Sequence, residues 1–234
     1  MNGEPAITVA LQRSAVYRLL ATAFAYPTTA RLEAVAAGGR RAAAGAPAEL
    51  RGVLERLADT AEAADTAALA GEHVALFQRE VRCPPYEGAY GPAQMAGKAA
   101  LLADVAGFYR AFGLEPAAGQ PEVEDHVCAE LEFMSVLALK EGWAIAESQA
   151  EGLEVTLAAE RAFLTDHLGR WSEVFAERVT AAAAPGFHPA AATLLRAWLQ
   201  ADCRRLDLAP RALEGVNAAE AGALACPLAP PGEA

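Results

Sequence analysis

Along most of this chain apolar residues recur every three or four positions, and that spacing predicts helix after helix. Val9, Val16, Leu19, Leu20 and Ala23 share one face of a helix predicted over 7–26. Pro27 cannot continue it, and Thr28 or Thr29 is placed to cap a short second helix reaching Val35. Residues 36–47, with Gly38, Gly39, Gly45 and Pro47, are predicted to be a flexible connection, too short to link two domains. A third helix follows over 48–63, with Leu50, Val53, Leu54 and Leu57 inward. The fourth covers 65–78 and carries Leu69, His73, Leu76 and Phe77. A fifth covers 93–112 on Leu101, Leu102, Val105, Phe108 and Tyr109. The sixth, over 122–146, has its stripe at Val127, Leu131, Met134 and Ala138. One long seventh helix is predicted over 153–179, with Phe163, Leu164, Leu168, Trp171 and Phe175, and an eighth over 189–206. No stretch alternates with a period of two. The expectation is an all-α fold, a single helical domain of about eight helices over 1–234.

Composition sharpens that picture. Hydrophobic residues make up 54% of the 234, enough for a sizeable core, and the net charge is −11. A nucleic-acid binder needs a basic face to displace counterions, so that class is excluded; the charge suits a basic partner instead. No leader-like segment opens the sequence and no apolar run approaches a bilayer span, so the expected location is cytoplasmic, without stable membrane insertion. Cys83, Cys128, Cys203 and Cys226 form no CxxC pair and are expected to be free thiols in a reducing compartment. Residues 114–121, with Gly119 and two prolines, read as a hinge. The proline-rich end, 227–234, reads as a mobile tail.

Two segments break the helical monotony. Residues 82–91 contain Pro84, Pro85, Tyr86, Glu87, Gly88, Ala89 and Tyr90: a rigid loop with large amphipathic rings. Residues 122–134 open the sixth helix with Glu122, Glu124 and Asp125 around His126, then Glu130 and Glu132. Acids at a helix start are favoured by the dipole. His126 and Glu130, four apart, share a helix face and could supply two metal ligands, with His73 as a third from another helix. No further ligand motif accompanies them, so a metal-dependent helical enzyme stands only as the alternative and no cofactor is expected. Nothing marks a catalytic pocket around the carboxylates, and nothing activates Cys83.

Three segments together resemble the TorD/DmsD family of redox-enzyme maturation chaperones, which are related to the NarJ-type chaperones. They are Tyr17-Arg18-Leu19-Leu20-Ala21 leading to Phe24 and Tyr26-Pro27; Leu76-Phe77 followed by Pro84-Pro85-Tyr86-Glu87-Gly88-Ala89-Tyr90; and Glu122-x-x-Asp125-His126 with Glu130-Leu131-Glu132-Phe133-Met134. Gly88 stands where the family's motif has serine. Phe163-Leu164-x-x-His167-Leu168-x-x-Trp171 also fits. The resemblance implies a non-enzymatic, TorD-like helical chaperone. Its partner would be the twin-arginine signal peptide or the apoprotein of a molybdenum oxidoreductase catalytic subunit, held in the cytoplasm until the cofactor is inserted. It implies a peptide groove lined by Leu76, Phe77, Pro85, Tyr86, Glu87 and Tyr90. Asp125 and His126 would stand at its rim, with Glu122 and Glu130 near. The expected state is monomer or homodimer, with 114–121 the natural place for a domain swap. A third reading is a structural helical subunit that stays in the mature complex.

Overall fold

A computed structural model describes residues 3–79, 82–91, 97–115 and 124–213. Among the described residues there are nine α-helices and no strand longer than a single bridge. They are α1 (Gly3–Phe24), α2 (Thr29–Gly45), α3 (Ala48–Glu62), α4 (Thr66–Val74), α5 (Lys98–Ala111), α6 (Val127–Ala146), α7 (Ala150–Asp166), α8 (Leu168–Ala182) and α9 (Phe187–Arg205). A π turn, Ala75–Arg79, prolongs α4, and a 3₁₀ turn, Glu87–Ala89, lies in the aromatic loop. The all-α expectation holds. No described helix is long and apolar enough to cross a membrane.

The apolar stripes read from the sequence become the core. α6 lies along α1, with α7 on another flank; α2 pairs with α3, α3 with α9, and α9 with α8. Phe133 of α6 is buried against Tyr109 of α5 and Phe163 of α7, with ring centroids 4.9 and 4.7 Å away. Removing a ring from such a site leaves a cavity and costs about 3–5 kcal/mol. Side-chain caps set the helix starts: Thr28 accepts from the Arg31 N–H, Asp65 from Ala68, and His126 from Cys128.

Three expectations need correction. The connection predicted over 36–47 is helical as far as Gly45. A β-carbon at Gly39 would lie 3.1 Å from both the Ala58 β-carbon and the Leu54 carbonyl oxygen, so this glycine brings α2 and α3 close together. Arg40, on this helix, pairs with Asp59 and Glu62 of α3. The single helix predicted over 153–179 is two, broken at His167 with φ −125° and ψ −103°. There the Leu164 carbonyl oxygen comes so near Gly169 that a β-carbon would sit 2.3 Å from it. The described part of α6 starts at Val127, with Asp125 before its cap. Glu122, most of the 114–121 segment, Cys226 and the 227–234 tail lie outside the described residues.

Four helices meet at a buried ion cluster. Arg13 of α1 is 2% exposed. It donates to Glu160 of α7 at 2.8 Å, to Asp202 of α9 at 2.7 and 2.8 Å, and to Glu141 of α6. The Tyr17 hydroxyl donates to Asp202 at 2.6 Å, and Arg205 reaches all three carboxylates from the partly exposed side. Burial alone would make Arg13 a weaker cation, but Asp202 and Glu160 outweigh it and hold its pKa above the ordinary value.

Candidate functional site

The aromatic loop and the start of α6 are joined directly. Tyr86 and His126 form an antiparallel bridge. The Glu87 N–H donates to the Asp125 carbonyl at 2.9 Å, and the Val127 N–H to the Pro85 carbonyl at 2.8 Å. The two rings stack edge to face, centroids 5.1 Å apart. The loop's other end is fixed by the Tyr90 hydroxyl, which donates to the Pro84 carbonyl at 2.8 Å, and by the Cys83 N–H on the Leu76 carbonyl. Tyr90 lies on Trp171, and the Arg178 guanidinium sits 5.0 Å from its ring centroid. The loop is therefore a clamped structure rather than a free lid.

Behind the bridge lies a group of buried acids. Asp125 accepts from the Gly88 N–H at 2.9 Å through one oxygen; its other oxygen is buried without a hydrogen-bond partner. A β-carbon at Gly88 would lie 2.9 Å from that accepting oxygen, so glycine at this position lets the backbone reach the carboxylate. Glu87 meets His167 Nδ1 at 3.0 Å, and His167 Nε2 lies 3.5 Å from Asp104. Glu130 accepts from the Trp171 indole N–H at 3.0 Å. Burial, then the negative charge of Glu87, pushes the Glu130 carboxyl well above its ordinary range. Tyr109, hydrogen-bonded to the Glu124 carbonyl, covers the group from α5.

In front of the bridge is an open cleft of about 260 Å³, with Tyr26, His73, Phe77, Pro85, Tyr86 and His126 in its lining. His73 stands edge-on to Phe77 at 4.8 Å and to Tyr26 at 5.5 Å. Burial, and the neighbouring His188, push its pKa down to about 4, so it is neutral at pH 7. His188 is tied to Glu72 at 2.6 Å. His126 Nδ1 accepts the Cys128 N–H, which places any proton of the neutral ring on Nε2.

Nine of the ten predicted residues, all but Glu122, which lies outside the described residues, are thus brought together, in two layers. Tyr86, His126, Phe77 and Pro85 line the cleft. Glu87, Tyr90, Asp125 and Glu130 are at most 3% exposed, and Leu76 is buried as well. For the alternative metal set, Glu130 turns toward Trp171 and Glu87, whereas His73 packs among aromatic rings. Among the described residues no three His, Cys, Asp or Glu side chains are placed to hold an ion. His167, Trp171 and Tyr109 were not singled out as partners of the acids. The available signal was Glu130 itself, which falls on the Val127–Leu131–Met134 stripe and so had to face inward.

The sequence model of the family described as nitrate reductase delta subunit matches residues 43–177, more than half of the chain. The chain belongs to that family. This family member is 35% identical over 116 residues to the perchlorate reductase assembly chaperone protein of Dechloromonas aromatica, covering 50% of each chain. It is 35% identical over 97 residues to the chaperone protein TorD of Vibrio cholerae, covering 42% of this chain and 43% of the other. It spans about half the length of the curated relatives it matches. Its fold is similar to the crystal structure of an Archaeoglobus fulgidus protein described as a redox enzyme maturation protein. That likeness has a TM-score of 0.50 at 23% identity, over 80% of this chain and 91% of the other, and supports the fold alone.

Proposed function

We propose that this delta-subunit family member is a cytoplasmic maturation chaperone, not a catalyst. Its client is a molybdopterin-containing oxidoreductase, bound through the twin-arginine signal peptide or the apoprotein before export. The observation that carries this reading is the Tyr86–His126 bridge, which holds two motif segments as one wall of an open aromatic cleft. The names of the relatives, an assembly chaperone and TorD, point the same way.

The chemistry suits such a client. A twin-arginine leader presents two guanidinium groups followed by an apolar stretch. Tyr86, Phe77 and Tyr26 offer ring faces for the apolar part and for a guanidinium plane. The partnerless oxygen of Asp125 is the acceptor assigned to one arginine. It lies behind the two bridge hydrogen bonds, so engaging it requires those two bonds to break while the loop stays anchored through Tyr90 and Cys83. The acidic chain as a whole speeds the encounter with a basic segment.

The test is calorimetric titration with the twin-arginine leader of an oxidoreductase encoded beside this protein. The wild type binds, Tyr86→Ala weakens binding about tenfold, the scale of an aromatic anchor in an interface, and Asp125→Asn removes the preference for arginine over lysine. Failure to bind either leader or apoprotein would overturn the function. Unchanged binding by both variants would overturn the site.

A further inference from the structure

A second and far larger cleft lies between α1 and α2, completed by the start of α3 and the end of α9, with a volume of about 1120 Å³. Its lining residues on α1 run from Thr8 to Thr22, about 20 Å of helix at 1.5 Å per residue. Buried Val16, Leu19, Leu50, Leu54 and Trp198 form its base. Val9 and Leu11, 45% and 47% exposed, stand at its edge. On α2 the lining is Ala34, Gly38, Arg41, Ala42 and Gly45; a β-carbon at Gly38 would meet the Leu19 side chain at 3.1 Å and one at Gly45 the Gln12 amide at 2.7 Å, so the small residues of this wall seat α1 side chains and Arg41 is its one long side chain. The shape is that of a trough for a helix rather than a pocket for a compact ligand.

The polar groups of the trough are unbalanced. Arg18 on one wall and Arg41 on the other are exposed, and neither guanidinium has an ion pair or hydrogen bond among the described residues. The indole N–H of Trp198 is buried in the base without an acceptor. The one acid in the lining, Asp202, is already taken by Arg13, Tyr17 and Arg205. On a chain of net charge −11, the vacant charges of this cleft are all positive. A cationic leader has no acceptor here, so this cleft and the Tyr86 cleft call for occupants of opposite sign.

We propose that the α1–α2 cleft is a second docking groove, which takes an amphipathic helix of a partner protein bearing carboxylates along its flanks. The apolar face of that helix lies on Val16, Leu19, Leu50 and Leu54. Its carboxylates pair with Arg18 and Arg41, and an acceptor on it satisfies the Trp198 N–H.

The probe is a synthetic helical peptide of about 18 residues, Leu and Ala on one face and Glu on both flanks, long enough to fill the trough. Binding is followed by calorimetry and by the indole resonance of Trp198, assigned with Trp198→Phe. The acidic peptide binds and shifts that resonance. Arg18→Glu with Arg41→Glu, both exposed, weakens binding at least about tenfold with the circular dichroism unchanged, as expected for rim charges that steer and pair. Tyr86→Ala leaves it unaltered. Three outcomes overturn the proposal: equal binding of the version with lysine for glutamate, indifference to the double charge reversal, or no shift at Trp198. Two more reassign the cleft and overturn it equally. Displacement of the peptide by lauric acid, with the same shifts, would make this an acyl-chain site. The same shifts on raising the protein concentration alone would make it a self-association surface.

Discussion

Replacing Arg13 by methionine should unfold this protein more readily than any change of a surface charge. Methionine keeps much of the arginine stem but leaves Glu141, Glu160 and Asp202 buried around no central cation. Breaking a buried pair in this way costs about 3–5 kcal/mol, because the partner's charge stays desolvated. Arg205 remains, 30% exposed and in contact with all three acids, so the lower end, about 3 kcal/mol, is expected. That is a large share of the roughly 5–15 kcal/mol that holds a domain together. Its pH dependence is the sharper signature. In the wild type, burial would raise the Asp202 carboxyl, but hydrogen bonds and charge from Arg13 outweigh it and hold it below its ordinary value. Its contribution is therefore present above about pH 4 and lost as pH falls through the depressed folded value. Without Arg13 the sign reverses. For Asp202, burial is then no longer outweighed and raises the carboxyl; Glu160, which burial already holds above its ordinary value, loses the opposing charge of Arg13, so the variant suffers most at high pH and recovers as these two protonate. Urea unfolding followed by circular dichroism at pH 8 and pH 5 measures both effects. The deficit should be larger at pH 8, and adding Glu160→Gln should restore part of it. A loss under about 1 kcal/mol, the scale of an exposed pair, would refute the reasoning, as would a loss that does not vary with pH.

Other measurements bear on the same structure. Glu130→Gln keeps an acceptor for the Trp171 N–H and removes a carboxyl whose ionisation burial opposes. The variant should gain about 1 kcal/mol at pH 8 and less at pH 5; a loss at both would refute the upward shift of the carboxyl. Gly169→Ala drives a β-carbon toward the Leu164 carbonyl and should cost about 1–3 kcal/mol in a urea titration, whereas an unchanged midpoint would show that the α7–α8 break relaxes freely. Burial pushes the thiols of Cys83 and Cys203 up to about 11, so a thiol reagent at pH 8 should label them only on unfolding; prompt native labelling would contradict their burial.

The helices were legible because their stripes are regular. What was hidden came from single atoms. Gly38 and Gly39 look like a break, yet one missing β-carbon is what lets α2 close on Ala58 and Leu54. The apolar spacing runs unbroken through Leu164, Leu168 and Trp171, so nothing announced the turn at His167. Arg13 looks like an ordinary helix cation until its position is compared with Ala10, Tyr17 and Leu20, all buried on the same face. Glu160 and Asp202 are its counterparts, also buried on their helices. In the aromatic loop and the start of α6 the residue types were readable as a unit. Their division into a cleft-lining layer and a buried layer was not, since Glu87 and Asp125 acquire their places only when the loop pairs with the backbone before α6.

That pairing has a topological consequence. The chain leaves through Tyr86–Glu87 and returns through Asp125–His126 at one crossing point, so everything between, α5 included, hangs from a closed neck. Lengthening a loop above a neck adds little entropy cost, which grows only with the logarithm of its length. The links on either side of α5 can therefore differ in length while both walls of the cleft stay in register, whereas α5 itself is tied to the core through Val105 and Tyr109.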